Sequence, residues 1–157
     1  MMRYWTMTFV LALVSLFAAA QSNRVYIEDF EIVPGTTIKV PVLLTNVDPT
    51  RGVQFQVTEP DGLQIEEFEL SKYSKAHKMN QFGNLRGQVW VMGMYPSGEV
   101  CFEPDTAAVI MMLEITAAPD FKGGDIILWK QRGSTMDSET IYFEDHTTRV
   151  DVQHAAP

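Results

Sequence analysis

Along residues 37–44, apolar side chains occupy every second position: Ile38, Val40, Val42 and Leu44 share one face, and Lys39 and Pro41 take the other. A helix would scatter that set around its circumference, whereas a strand gathers it, so the spacing limits this stretch to a half-buried strand. Pro41 has no N–H for a ladder and therefore marks an edge or a bulge. The same spacing returns in Val53, Phe55 and Val57, with Gln54 and Gln56 pointing out, and resumes at Leu63 and Ile65. Between them Glu59, Pro60, Asp61 and Gly62 have the chemistry of a turn, Pro presetting φ and Gly accepting the positive φ after it.

The rest of the chain fits the same pattern. Residues 88–94 form a strand apolar on both faces, closed by a turn over Tyr95, Pro96, Ser97 and Gly98. Ala107, Val109, Met111, Leu113 and Ile115 read as one face of a further strand, and residues 126–129 as a short one. Residues 141–143 and 148–152 read as a final hairpin around Asp145 and His146. Glu66, Glu67 and Glu69 alternate imperfectly and read as a solvated strand edge. Residues 71–87 are polar, basic and weakly periodic, and read as a long connection with one short strand near Met79. The expected fold is all-β, a two-sheet immunoglobulin-like or jelly-roll sandwich of about nine short strands with no amphipathic helix.

Residues 1–21 are expected to be a cleavable signal peptide: Arg3 supplies the positive start, residues 7–17 the apolar middle, and Ala18, Ala19 and Ala20 the small-residue exit. Cleavage is expected after Ala20 or Ser22. The apolar run is shorter than the ~20 residues that cross a bilayer, and no basic stop-transfer cluster follows it. A lipid anchor needs a Cys at the cleavage site, and the single Cys lies far away at Cys101. The mature part is therefore expected to be secreted or periplasmic without a membrane anchor, with a sandwich domain over residues 22–153 and a frayed tail over 154–157. A lone Cys makes no internal disulfide and reads as a small buried or half-buried hydrophobe.

Net charge is −8, which disfavours nucleic acid as a partner. The charge is uneven: between Ser71 and Gly98 there is no Asp or Glu, yet Lys72, Lys75, Lys78 and Arg86 lie there. His77, His146 and His154 share no metal-ligand spacing and read as solvated surface groups. No phosphate loop, serine elbow or paired-cysteine motif is present, so no catalytic residue is assigned. Asp137, Glu139, Glu144 and Asp145 cluster late in the chain without the spacing of an EF-hand loop. No cofactor or metal ligand is assigned, with a structural calcium ion as the alternative. The triplet Asp105, Thr106 and Ala107 matches an O-glycan acceptor pattern of some anaerobic Gram-negative bacteria.

One family likeness runs through most of the mature chain. A Pro34–Gly35 turn precedes a strand containing Val40, Pro41 and Val42, then a turn at Asn46. A strand with Phe55 on the core face follows, then Pro60, Asp61, Gly62 and Leu63. This order resembles cohesin-like modules of exported bacterial proteins. The resemblance implies the jelly-roll-like sandwich shared by cohesins and some carbohydrate-binding modules, and a protein partner, since typical cohesins bind dockerins.

Two sets of residues are candidates for binding. Trp90, Tyr95 and Trp129 could stack on sugar rings, though rings on central strands more often cover core. Lys72, Lys75, Lys78 and Arg86 could dock an acidic protein or anionic glycan. The expected function is that of an exported, non-catalytic binding module with an extracellular or periplasmic protein partner, and the alternative is polysaccharide binding through exposed aromatics.

Overall fold

The computed structural model describes residues 22–154, so the expected signal peptide over 1–21 and all but the first residue of the expected tail lie outside the described residues. The chain forms two sheets packed face to face. One contains β1 (Arg24–Tyr26), β3 (Thr37–Asn46), β8 (Asp105–Ala117) and β5 (Leu63–Leu70), in the order β1-β3-β8-β5. The other runs β2-β11-β9-β4-β7-β6, from β2 (Phe30–Ile32), β11 (His146–Val152), β9 (Gly124–Ser134), β4 (Gly52–Thr58), β7 (Val89–Pro96) and β6 (Met79–Arg86). A further short strand, β10 (Thr140–Tyr142), pairs with β9. Every pairing is antiparallel except β2 with β11, which closes the sandwich in parallel.

Alternation builds the core as expected. Val53, Phe55 and Val57 are buried and face Val42, Leu44, Met111, Leu113 and Ile115 from the opposing sheet. The Glu59–Gly62 turn is closed by the Leu63 N–H donating to the Pro60 carbonyl, with Gly62 at φ 81°. Pro41 lies on the part of β3 that β1 does not reach, since β1 covers Leu43 to Thr45, and it stands just before a bulge.

Several expectations are corrected. Among the described residues there are eleven strands and one helix, α1 (Lys72–Ala76), which occupies the stretch read as connection. The basic stretch continues into β6, a full eight-residue strand. Its polar composition hid it because β6 is an edge and contributes few side chains to the core. Residues 126–129 are part of the eleven-residue β9. The final hairpin does not form: β10 and β11 both pair with β9 and not with each other. On β8 the buried face switches parity. Ala108 and Ile110 are buried, then Met111, Leu113 and Ile115, while Ala107 is exposed. The cause is a bulge at Ile110, skipped between the pairs Val42–Met111 and Leu43–Val109. The imperfect alternation of the β5 acids has the same origin, an extra residue at Glu66.

Candidate functional site

The two outer faces of the sandwich differ in charge. On the sheet containing β5 and β8, Glu67, Glu69 and Glu114 project outward around Lys39, whose Nζ lies 3.2 Å from Glu69 Oε1. Glu69 is the main cause holding the Lys39 ammonium above its ordinary pKa. On the other sheet, β4, β6, β7 and β10 contain no Asp or Glu, β9 carries Asp125 at its start, and the exposed acids Glu31 and Asp151 lie on β2 and β11 at its far edge.

That second face is ordered in rungs. Tyr142, Arg132, Gln54, Gly93 and Phe82 lie side by side across β10, β9, β4, β7 and β6. Trp129, Gln56, Val91 and Asn84 form the next rung. Neighbouring strands are about 4.8 Å apart, so a rung is roughly 19 Å across. Gly93 makes the surface possible: a Cβ there would come within 2.7 Å of the Phe82 ring and 2.5 Å of the Val53 carbonyl oxygen. Without that side chain the Phe82 ring lies over β7, 6.4 Å from the Tyr95 ring. Tyr142 is 83% exposed and Tyr95 52%. A shallow depression lined by Gln54, Gln56, Lys130, Gln131, Arg132 and Tyr142 opens beside the Tyr142 ring.

The expected site residues do not gather at one place. Tyr95 and Trp129 share this face. Trp129 is anchored there by its indole N–H, which donates to Thr58 Oγ1 at 3.0 Å, and Lys130 Nζ stands 4.7 Å from the ring centroid. A bulge at Lys130, with φ 48°, gives the two residues the same side of the strand. Trp90 has the opposite parity from Tyr95 and faces inward, packed edge-on to Phe68 at 5.8 Å. Lys72, Lys75 and Lys78 surround α1 at the start of β6, and Arg86 ends β6, so one strand length separates them.

Helix α1 is fixed by the β8 bulge. The Ile110 carbonyl accepts from the Ser71 N–H and from Ser74 Oγ, at 3.2 and 2.7 Å. Ser71 caps the helix, its hydroxyl accepting from the Ser74 N–H.

Of the histidines read as solvated, His154 is exposed, whereas His77 and His146 are half-buried. His77 Nδ1 lies 2.8 Å from the Tyr73 carbonyl, and His146 Nε2 3.0 Å from that of Ile27. Cys101 is half-buried, and burial followed by the neighbouring Glu103 pushes its thiol pKa up, away from a nucleophilic thiolate. Among the described residues no group of three His, Cys, Asp or Glu side chains is placed to hold a metal ion. Asp137 and Glu139 sit before β10, and Glu144 and Asp145 after it. Thr106 is exposed at the start of β8.

Sequence reasoning missed Glu59. Read as a turn residue, it turns its carboxylate back into the end of the sandwich, where it accepts from the Ile65 N–H and from the Trp90 indole N–H. Burial raises its pKa above the ordinary carboxylate value, against the lowering effect of those two hydrogen bonds. Nothing local announces this, since Trp90 arrives from another strand.

No family model matches the sequence, and no curated protein matches it. Solved structures do. A non-cellulosomal cohesin from the archaeon Archaeoglobus fulgidus superposes with a TM-score of 0.62 at 13% identity, covering 82% of this chain and 91% of that one. A type I cohesin–dockerin complex from Clostridium thermocellum gives 0.66 at 14%, with 84% and 99% covered. A cohesin module from a Clostridium perfringens family 33 glycoside hydrolase gives 0.64 at 9%, with 84% and 97% covered. The fold is the cohesin-like β-sandwich. Among the described residues no helix is long and apolar enough to cross a membrane.

Proposed function

We propose that this chain is an exported, non-catalytic docking module that meets a protein partner on the outer face of β10, β9, β4, β7 and β6. The observation that carries the reading is the composition of that face: exposed Tyr95 and Tyr142, the Phe82 ring, glutamines, Arg132 and Lys130, on strands with a single acid in a chain of net charge −8. Aromatic and Arg side chains on a rigid, flat sheet are the usual anchors of protein interfaces, and charge segregated by face orients an approaching partner. The cohesin fold supports the same reading, because a similar structure was solved as a cohesin–dockerin complex. Export rests on residues 1–21, and N-terminal sequencing of the secreted protein should begin after Ala20 or Ser22.

A photo-crosslinking residue at Tyr95 should trap a discrete adduct in the native extracellular fraction, while the same residue at Glu67, on the opposite face, should not. Arg132→Glu in the Tyr95-labelled protein should abolish the adduct. Equal labelling from both faces would sink the reading.

A second reading is favoured by one rung. Tyr142 and Phe82 flank Arg132 and Gln54, so rings for stacking stand beside hydrogen-bonding groups, as a sugar chain requires. Calorimetry against plant, host and bacterial polysaccharides would show heat abolished by Tyr142→Ala. No heat with any of them removes this alternative.

A further inference from the structure

A sheet edge presents unpaired N–H and C=O groups, and natural proteins blunt long edges with bulges, prolines, charges or short strands. Three of the edges here follow that rule. β1 and β2 are three residues each, and β5 carries the Glu66 bulge and its acids. β6 does not. It runs eight residues in unbroken register against β7, from Met79–Pro96 to Arg86–Val89, with no proline, bulge or inward charge. Between β6 and β5 the Phe68 ring packs over Gly83 on the inward side, and the one side-chain hydrogen bond among the described residues is from the Gln81 amide to the Phe68 carbonyl at 3.2 Å. Leu85 is 49% exposed on its inward side.

We propose that β6 is a pairing edge, and that it takes as an added strand an extended acidic segment of a partner protein. The charge of the edge selects that occupant. Lys72, Lys75 and Lys78 stand exposed before β6, Arg86 closes it, and no acid occurs between Ser71 and Gly98. Acids at the ends of a strand spanning β6, roughly 26 Å long, meet these cations, and an apolar residue turned inward covers Leu85. The same charges oppose a second copy of this chain. Antiparallel self-pairing about Phe82 sets Arg86 against Lys78, and parallel self-pairing sets Lys78 against itself. The acids of β5 belong to the other sheet, about 10 Å away, with Glu67 and Glu69 facing outward from it. This inference goes beyond the docking face, because it uses the backbone of β6 and not the side chains of the rungs.

The test uses the full chain and three synthetic peptides of alternating valine and threonine long enough to span β6. One ends in paired aspartates, one in paired lysines, and one carries aspartates with a central proline. The aspartate peptide should slow hydrogen exchange of the β6 amides, and its affinity should fall as salt rises. The combined variant Lys75→Glu, Lys78→Glu and Arg86→Glu should bind it at least about tenfold more weakly. Equal binding of the lysine or proline peptides, protection located outside β6, or β6 amides already protected in a dimer of the free chain would each overturn the proposal. Arg132→Glu should leave peptide binding intact, so failure of the docking face and failure of the edge are read separately.

Discussion

Gln131 shows how one side chain joins the two sheets. It is 2% exposed, its Oε1 accepts from the Val25 N–H at 2.6 Å, and its Nε2 donates to the Val25 and Leu128 carbonyls at 2.8 and 3.2 Å. The amide therefore substitutes for a strand in pairing β1, and every polar atom it buries is satisfied. Gln131→Met keeps the volume but leaves Val25 unpaired. It should cost about 1–3 kcal/mol in urea unfolding at neutral pH, with an unchanged m-value. Glu59 predicts a pH effect of defined sign. Its folded pKa is raised, so the native state holds its proton more tightly than the unfolded chain. The contribution of Glu59 is full below the ordinary carboxylate value and is lost as pH rises through the folded one. Glu59→Gln removes that loss. Relative to the wild type, its melting temperature should rise with pH above the ordinary carboxylate range, and a constant difference across pH would refute the assignment.

At the scale of elements, bulges decide which face a strand shows. β5, β8 and β9 each take an extra residue, at Glu66, Ile110 and Lys130. Each one reverses the parity that alternation would continue. The Ile110 bulge also frees a carbonyl for Ser71 and Ser74, and so places α1 and its lysines beside β6. The β5–β6 side is closed by one ring. A Cβ on Gly83 would stand 2.1 Å from Phe68 Cζ. Gly83→Ala should therefore destabilise by about 1–3 kcal/mol. The penalty should shrink in a Phe68→Ala background, and a double-mutant cycle showing simple additivity would separate the two residues.

Over the whole molecule, burial carries stability, since the single Cys leaves no internal disulfide. The Phe55 side chain is fully buried between the sheets, and Phe55→Ala should cost about 3–5 kcal/mol. The proposed module works without a cofactor, so EDTA should leave the melting temperature unchanged. A clear drop would instead support the calcium alternative around Asp137, Glu139, Glu144 and Asp145. Charge is segregated across most of the sandwich: Glu67, Glu69 and Glu114 mark one broad face, and Arg132 and Lys130 the β10–β6 part of the other, with Glu31 and Asp151 confined to its β2–β11 edge.

Alternation of apolar residues at Ile38, Val40 and Val42, and at Val53, Phe55 and Val57, determined an all-β chain from sequence alone, because the strand period is a local property of neighbouring residues. The order of its turns likewise carried the likeness to cohesin-like modules. Composition exposed the acid-free basic stretch, though not that it holds a helix and an eight-residue edge strand. Tertiary structure decided the rest. Whether Tyr95 or Trp90 meets solvent depends on the register of β7 against β4, and whether Trp129 joins Tyr95 depends on register and the Lys130 bulge. Register and bulges are set by contacts between residues far apart in the chain, and so lie outside what any local pattern records.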